Sequence, residues 1–339
     1  MTAKLFSPAT DEAVRECSEI IKSGGNVVFP TETVYGLGAN ALDPKAVDGI
    51  FKAKGRPSDN PLIVHLAYPE DAEKYAYTNE KYYALAKAFM PGPLTVILKK
   101  REIIPDNVTC GLDTVGLRVP SNPIAHRLIE LSGVPIAAPS ANKSGRPSPT
   151  EYAHVVEDMG SDAGAILDGG ESEIGVESTV IRLTDGGVEI LRPGRVSPED
   201  LENAGFKVTV NKGVTHPVAN DEKVASPGMK YRHYAPKAKV VILDGERTKV
   251  IERMKAEYKN GCGILCFEED AEEFGKTNVQ TFGRERDAVS QAKRLFDSLR
   301  AFDGSDVKII YSRMPDSNGV GLAVTNRLLR AAGFAVEKI

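Results

Sequence analysis

Apolar positions along the chain fall into short runs whose spacing alternates between helical and strand-like. Residues 11–23 place Val14, Cys17, Ile20 and Ile21 at helical spacing, with Thr10 available as a cap and Gly24 as a stop, so a helix is predicted there. The run NVVFP (26–30) reads as a short buried strand ending at Pro30. Asp43-Pro44 is a strong start for a second helix, with Val47, Ile50 and Phe51 on one of its faces. Further strands are predicted at 61–66, 94–98, 115–119, 135–138, 165–168, 178–183 and 188–192. Helices are predicted at 79–90, from Ser121 through Leu131, from Thr150 through Asp158, and at 197–205. Several strands follow one another directly, which implies a mixed sheet with helices packed on it rather than a purely parallel one.

Residues 211–237 break this pattern. They carry three prolines, two glycines and almost no apolar periodicity, the mark of a linker or a functional loop. Beyond them the alternation is regular: VVILD (240–244), GILCF (263–267) and VKIIY (307–311) read as strands, and 246–259, 285–301 and 320–332 as helices. The expectation is a first domain over 1–210, a linker over 211–237 and a small three-layer α/β domain with a parallel sheet over 238–339.

Length and charge narrow the picture. At roughly 150 residues per domain, 339 residues suggest two domains. Lys+Arg is 43 against 47 Asp+Glu, a net charge of −4, which argues against a basic coat for nucleic acid while leaving room for a local basic cleft. The chain has no tryptophan, so Trp-based stacking is excluded. The cysteines Cys17, Cys110, Cys262 and Cys266 are too scattered for a disulfide framework, and no zinc-ligating set surrounds the last two. The N-terminus lacks the apolar core of a signal peptide, and no run of about 18 apolar residues occurs. A soluble cytoplasmic protein is expected.

Common phosphate-binding signatures fail. FGKT (274–277) has Asp270 where a Walker loop needs its first glycine, within an acidic stretch that would repel phosphate. No G-x-G-x-x-G follows the first strand of the second domain, and neither H-E-x-x-H nor G-x-S-x-G occurs.

Polar chemistry instead collects at strand ends of the first domain. Residues 27–42 supply Thr31, Thr33, Tyr35, Gly36 and Gly38, which suit close backbone approach to a small polar ligand or, more simply, a glycine-rich turn. Lys52, Lys54 and Arg56 precede Ser58 and Asn60, a loop suited to a polyphosphate or a solvated basic helix end. His65 on an apolar strand reads as a satisfied core residue, and Arg118 either faces outward, which its alternation favours, or points at an anion in a cleft. Residues 138–150 carry Ser140, Asn142, Lys143, Ser144, Arg146 and Ser148 just after a strand, either an anion nest or a polar surface loop. Glu177, Ser178 and Thr179 follow, then Arg192 and Arg195. The linker adds Ser226, Lys230, Tyr231, Arg232, His233 and Tyr234, a charged aromatic patch that reads as a flap over a ligand.

Together, PTETVYGLG (30–38), KGRPSDNPL (54–62), PSANKSGRPSPT (139–150), GVESTV (175–180) and LRPG (191–194) resemble the YrdC-like family. The linker SPGMKYRHYAPK (226–237) and the second α/β domain resemble its long form, so the resemblance spans essentially the whole chain. It implies a twisted mixed parallel/antiparallel sheet with helices around a concave basic cavity, a linker touching the active site and a Rossmann-like C-terminal domain. It implies L-threonylcarbamoyladenylate synthesis: L-threonine, bicarbonate and ATP, with Mg²⁺, give the adenylate and pyrophosphate. The product would pass to a tRNA threonylcarbamoyl transferase complex for modification at position 37, with no stable tRNA binding and no membrane.

Carried over by motif, Thr33, His65, Arg118, Ala138 and Ser178 would bind threonine, Arg118 gripping its carboxylate with two prongs. Arg56, Asn60, Thr114, Ser140, Ser148, Arg192 and Arg232 would bind ATP, with Lys54, Asn142 and Tyr234 as further neighbours. No catalytic nucleophile or protein metal ligand is assigned, which fits catalysis by positioning and electrostatics. Two other readings compete: an RNA-binding module, and a carbamoyl transferase of the hydrogenase-maturation type. The net charge of −4 speaks against the first, and the chain's length and few cysteines against the second.

Overall fold

The computed structural model describes residues 2–217 and 233–339. Eleven of its strands lie in the first 210 residues: β1 (Lys4–Phe6), β2 (Val27–Phe29), β3 (Gly36–Asn40), β4 (Ile63–His65), β5 (Leu94–Lys99), β6 (Thr114–Arg118), β7 (Ile136–Ala137), β8 (Ala165–Leu167), β9 (Thr179–Thr184), β10 (Gly187–Arg192) and β11 (Val208–Val210). Seven helices accompany them: α1 (Asp11–Lys22), α2 (Pro44–Lys54), α3 (Glu80–Phe89), α4 (Asp106–Thr109), α5 (Pro123–Ser132), α6 (Tyr152–Met159) and α7 (Pro198–Asn203). The strands form one mixed sheet, in the order β1-β8-β2-β3-β7-β4-β6-β5-β9-β10-β11.

Local signals explain several elements. The Thr10 hydroxyl accepts from the Ala13 N–H at 3.2 Å and caps α1, as its sequence predicts. Helix α5 begins one residue later than expected, because Asn122 rather than Ser121 caps it, accepting from the N–H groups of Ile124 and Ala125. Helix α6 follows Glu151 rather than Thr150. Strand β3 replaces the expected open glycine-rich loop and pairs antiparallel with β2. Gly38 is what allows it: a Cβ there would come within 2.6 Å of both Ile136 and Phe29.

One face of the sheet is buried under α2, α3 and α6, with Val47, Ile50, Leu85 and Met159 against Leu37, Val64 and Leu117. The other face is covered by α1 and α5 only at the β8-β2-β3 end, through Val14, Cys17, Ile21, Leu128 and Ile129 against Val27 and Phe29. The remainder of that second face is the wall of the candidate site.

The C-terminal domain carries β12 (Lys239–Asp244), β13 (Gly263–Cys266), β14 (Val279–Thr281), β15 (Ile309–Arg313) and β16 (Val336–Lys338), with α8 (Arg247–Lys259), α9 (Ala288–Ala301) and α10 (Gly321–Ala332). All pairings are parallel, in the order β14-β13-β15-β12-β16. Helices α9 and α10 cover one face and α8 the other, the three-layer arrangement expected. Strands β14 and β16, three residues each, were not foreseen.

The two domains share a core. Val34 and Val176 of the first pack with Tyr234, Phe296 and Leu328. Gly175, at φ +85°, lies against α9 so closely that a Cβ would stand 2.5 Å from the Lys293 Cα. Buried ion pairs join Arg300 to Asp158 at 2.6 Å and Arg327 to Glu177 at 2.7 Å. The four cysteines are free thiols, and among the described residues no helix is long and apolar enough to cross a membrane.

Candidate functional site

The open part of the sheet face is a recess with about 760 Å³ of space, part of it open to solvent. Strands β4 and β6 run parallel with His65 opposite Arg118, so both side chains stand on this face. Arg118 therefore points into the recess, contrary to the outward face its alternation favoured, because an acidic partner waits there. Its Nη2 donates to Glu32 Oε1 at 2.6 Å and to Thr33 Oγ1 at 3.0 Å, and the Ser121 N–H donates to Glu32 Oε2 at 3.2 Å. The Arg118 Nε donates to the Gly92 carbonyl at 3.4 Å, so two of the three guanidinium nitrogens are already engaged before the expected two-pronged grip. Sequence reading passed over Glu32; a carboxylate between two threonines was the available signal.

His65 is buried, and its Nδ1 has no hydrogen-bond partner among the described residues. Burial, helped by Arg118, pushes its pKa down to about 3, so the ring is neutral, with one nitrogen a donor and the other an acceptor. Ser178 Oγ shares a hydrogen bond with Thr95 Oγ1 at 2.8 Å. Thr33, His65, Arg118, Ala138 and Ser178, the five expected threonine contacts, all line this recess.

The opposite end is cationic. Lys54 closes α2, ahead of Gly55 in the left-handed conformation, and donates to the Ser140 and Asn142 carbonyls at 2.5 Å each. It therefore sits at a helix end rather than on the loop expected. Burial, then the neighbouring Arg56, depresses its pKa well below the ordinary lysine value. Arg56 donates to the Asn60 and Pro61 carbonyls at 3.1 and 3.3 Å, and Arg192 to the Ser178 carbonyl and hydroxyl at 3.1 Å each. Burial lowers both guanidinium groups to about 10. The lining carries Lys54, Arg56, Arg118, Arg146 and Arg192 beside Glu177; Arg118 is neutralised by Glu32 and Arg146 by Glu157, Asp158 and Asp303, which leaves Lys54, Arg56 and Arg192 without an ion pair among the described residues. Burial works to raise the Glu177 pKa, but Arg327 and Arg192 outweigh it and hold the group ionised. A recess that disfavours several of its own cations is relieved by an anionic ligand.

The remaining expected residues divide. Ser140 lines the recess and donates to Asn142 Oδ1 at 2.5 Å, while the Asn142 amide braces its loop through the Lys143 and Arg146 carbonyls. His233 and Tyr234 line it too, and Tyr234 stacks on Phe296 at 5.1 Å. Asn60 is buried beside the recess, its carbonyl taken by Arg56. Ser148 lies behind Glu177, to which its hydroxyl donates. Thr114 lies in a neighbouring apolar recess that shares Pro61, Leu62 and Ile63 with the main one. The Tyr35 hydroxyl, a candidate by sequence, is spent on the Gly170 carbonyl at 2.7 Å. Arg232, Ser226, Lys230 and Tyr231 lie outside the described residues.

For a metal, Glu177 offers little, since both its oxygens are engaged by Ser148 and Arg327. Glu151, His154 and Asp297 come together at the domain boundary. There the Thr150 N–H donates to His154 Nδ1 at 3.4 Å, which leaves the proton on Nε2, 3.5 Å from Asp297: a histidine–carboxylate pair rather than a ligand set.

A family model for Sua5/YciO/YrdC proteins, described as "Telomere recombination", matches residues 19–194. A second, described as "Threonylcarbamoyl-AMP synthase, C-terminal domain", matches 196–333. The threonylcarbamoyl-AMP synthase of Pyrococcus abyssi is 46% identical over 333 residues, covering 96% of each chain. The chain belongs to the threonylcarbamoyl-AMP synthase family. Another member, from Bacillus subtilis, is 43% identical over 346 residues and 99% of each chain. The crystal structure of P. abyssi Sua5 complexed with L-threonine superposes with a TM-score of 0.91 at 42% identity, over 100% of this chain and 99% of that one. The likeness to these relatives runs through both domains, and the P. abyssi structure shares the mixed sheet with its C-terminal α/β partner.

Proposed function

We propose that this chain joins L-threonine, bicarbonate and ATP into threonylcarbamoyl-AMP and releases pyrophosphate. One observation carries the reading: a recess lined by Lys54, Arg56 and Arg192, cations with no ion pair to a carboxylate among the described residues, and also by Thr33, His65 and Arg118. The full-length likeness to threonylcarbamoyl-AMP synthases supports it.

In this reading the threonine carboxylate sits at Arg118, with Thr33, Ala138 and Ser178 around it. Neutral His65 meets the substrate with its unpartnered Nδ1. The threonine amine attacks the bicarbonate carbon, and loss of water leaves a carbamate anion. A carbamate oxygen then attacks the α-phosphorus of ATP, and the bond to the β-phosphate breaks to release pyrophosphate. Lys54, Arg56 and Arg192 hold the triphosphate and stabilise the charge that builds on the leaving group. Thr114 lies beside the site, and Arg232 would complete it from the linker. Further charge neutralisation would come from Mg²⁺ bound with the ATP, for which no described side chain is assigned as a ligand. His233 and Tyr234 shield the mixed anhydride from water. Nothing here needs a side-chain nucleophile; the work is positioning in a cationic enclosure.

The product would be consumed by a tRNA threonylcarbamoyl transferase complex in the cytoplasm, without stable tRNA binding by this chain. The test is pyrophosphate release from ATP with Mg²⁺ and bicarbonate, one amino acid at a time. Release that requires both L-threonine and bicarbonate is expected. Threonine-independent release, or none from folded protein that binds ATP, would overturn the reading.

A further inference from the structure

Among the described residues, Arg327 heads the fully buried side chains by size, and it belongs to α10 of the C-terminal domain. Its Nε donates to Glu177 Oε2 at 2.7 Å and its Nη1 to Asn326 Oδ1 at 2.7 Å. The guanidinium lies 5.4 Å from the centre of the Tyr234 ring. The other oxygen of Glu177 takes the Ser148 hydroxyl. The main chain beside Ser148 is held from the same domain, by Arg300 donating to the Pro147 carbonyl at 2.6 Å. Glu177 is thus pinned at the wall of the recess by a partner that does not itself line it.

We infer that Arg327 is a positioning residue that sequesters Glu177, so that the cations of the recess stay free for the triphosphate of ATP. The inference rests on the ATP site proposed above. Lys54 and Arg192 both lie within the electrostatic reach of Glu177. A carboxylate buried without a partner is costly, so Glu177 deprived of Arg327 turns to the nearest cations, and Arg192 is foremost. Each cation it captures is one withdrawn from phosphate. The C-terminal domain therefore acts on nucleotide binding by occupying an anion rather than by touching the nucleotide.

The experiment is calorimetric titration of the full chain with ATP and Mg²⁺, without threonine or bicarbonate, alongside a separate titration with L-threonine. Arg327→Gln is expected to bind ATP about tenfold or more weakly, with threonine affinity within about twofold. Glu177→Gln/Arg327→Gln is expected to recover ATP affinity to within about threefold of wild type, because the competing anion has gone. Arg327→Lys keeps the pairing charge and should also stay within about threefold. A double variant as weak as the single one would overturn the inference, as would a single variant that binds ATP normally. Should Arg327→Gln fail to fold, the double variant, which leaves no buried charge unpaired, decides by itself: an about tenfold loss overturns the inference and near-wild-type affinity sustains it. Wild-type protein that fails to bind ATP would sink the proposed reaction itself, whereas wild-type binding without rescue sinks only the role of Arg327.

Discussion

The two ends of the recess are built in different ways. At the threonine end, His65 and Arg118 stand on neighbouring strands in fixed register, and the partner of Arg118, Glu32, comes from the loop after β2. The groups that shape this end belong to one domain, on strands of one sheet or in the segments directly joined to them. At the nucleotide end, Lys54 closes a helix, Ser140 and Ser148 lie in a loop, and Tyr234 comes from the linker. That loop is tied to the second domain through Arg300 and through Arg146, which pairs with Asp303 at 3.2 Å. A sheet sets one substrate; an assembly of loops and a second domain sets the other. Damage to the sheet should cost stability and threonine use together, and damage to the domain contact should cost ATP use selectively.

The sharpest break is Arg118→Met. It leaves Glu32 buried without its cation, and urea denaturation should show a loss of about 3–5 kcal/mol, with threonine-dependent turnover down about 100-fold or more. Adding Glu32→Gln should recover most of the stability and none of the turnover. A milder break is Arg300→Met, on the other side of the comparison. Asp158 keeps its contact with Arg146, so the expected loss is about 1–3 kcal/mol. The KM for ATP should rise about tenfold while that for threonine stays within about twofold. Equal changes in both would erase the distinction between the two ends.

Acid should act through both histidines of the recess, His233 of the linker and His65 of the sheet, each with a pKa pushed down to about 3, and the sheet's share runs through His65. His65 is held neutral with a pKa near 3, below its value of 6.5 when unfolded. Its contribution is complete above pH 6.5 and is lost as pH falls toward 3, because only the unfolded state takes up the proton in that window. The expected slope is about 1.4 kcal/mol of stability per pH unit, and His65→Gln should flatten it by that amount in denaturation curves run from pH 7 to 4. The smallest effect is reserved for Thr114→Val, at the edge of the apolar recess. It should raise the KM for ATP about threefold and leave threonine use and stability unchanged.

Much of this was legible in the chain. Helix α1 announced itself through Val14, Cys17 and Ile21 and its Thr10 cap, and the expected threonine contacts do meet in one recess. Strand β3 was hidden because GLGAN has no apolar alternation; what makes it a strand is the space its neighbours leave at Gly38. The direction of Arg118 was hidden because its partner is 86 residues away, and local alternation carries no information about a contact at that distance. Arg327 and Arg300 were hidden in a stronger sense. On an amphipathic helix they read as solvated cations, and only the docking of one domain on the other turns them inward.

Gly175 sets a condition on how such a protein can be built or rebuilt. Its main chain passes so near the α9 backbone that any side chain there would meet Lys293 and the Ala292 carbonyl rather than a movable side-chain tip. A designer wishing to transplant the C-terminal half onto a stand-alone homologue could copy every salt bridge and every aromatic stack and still fail to seat it. The decisive part of the graft would be the absence of one methyl group on the recipient.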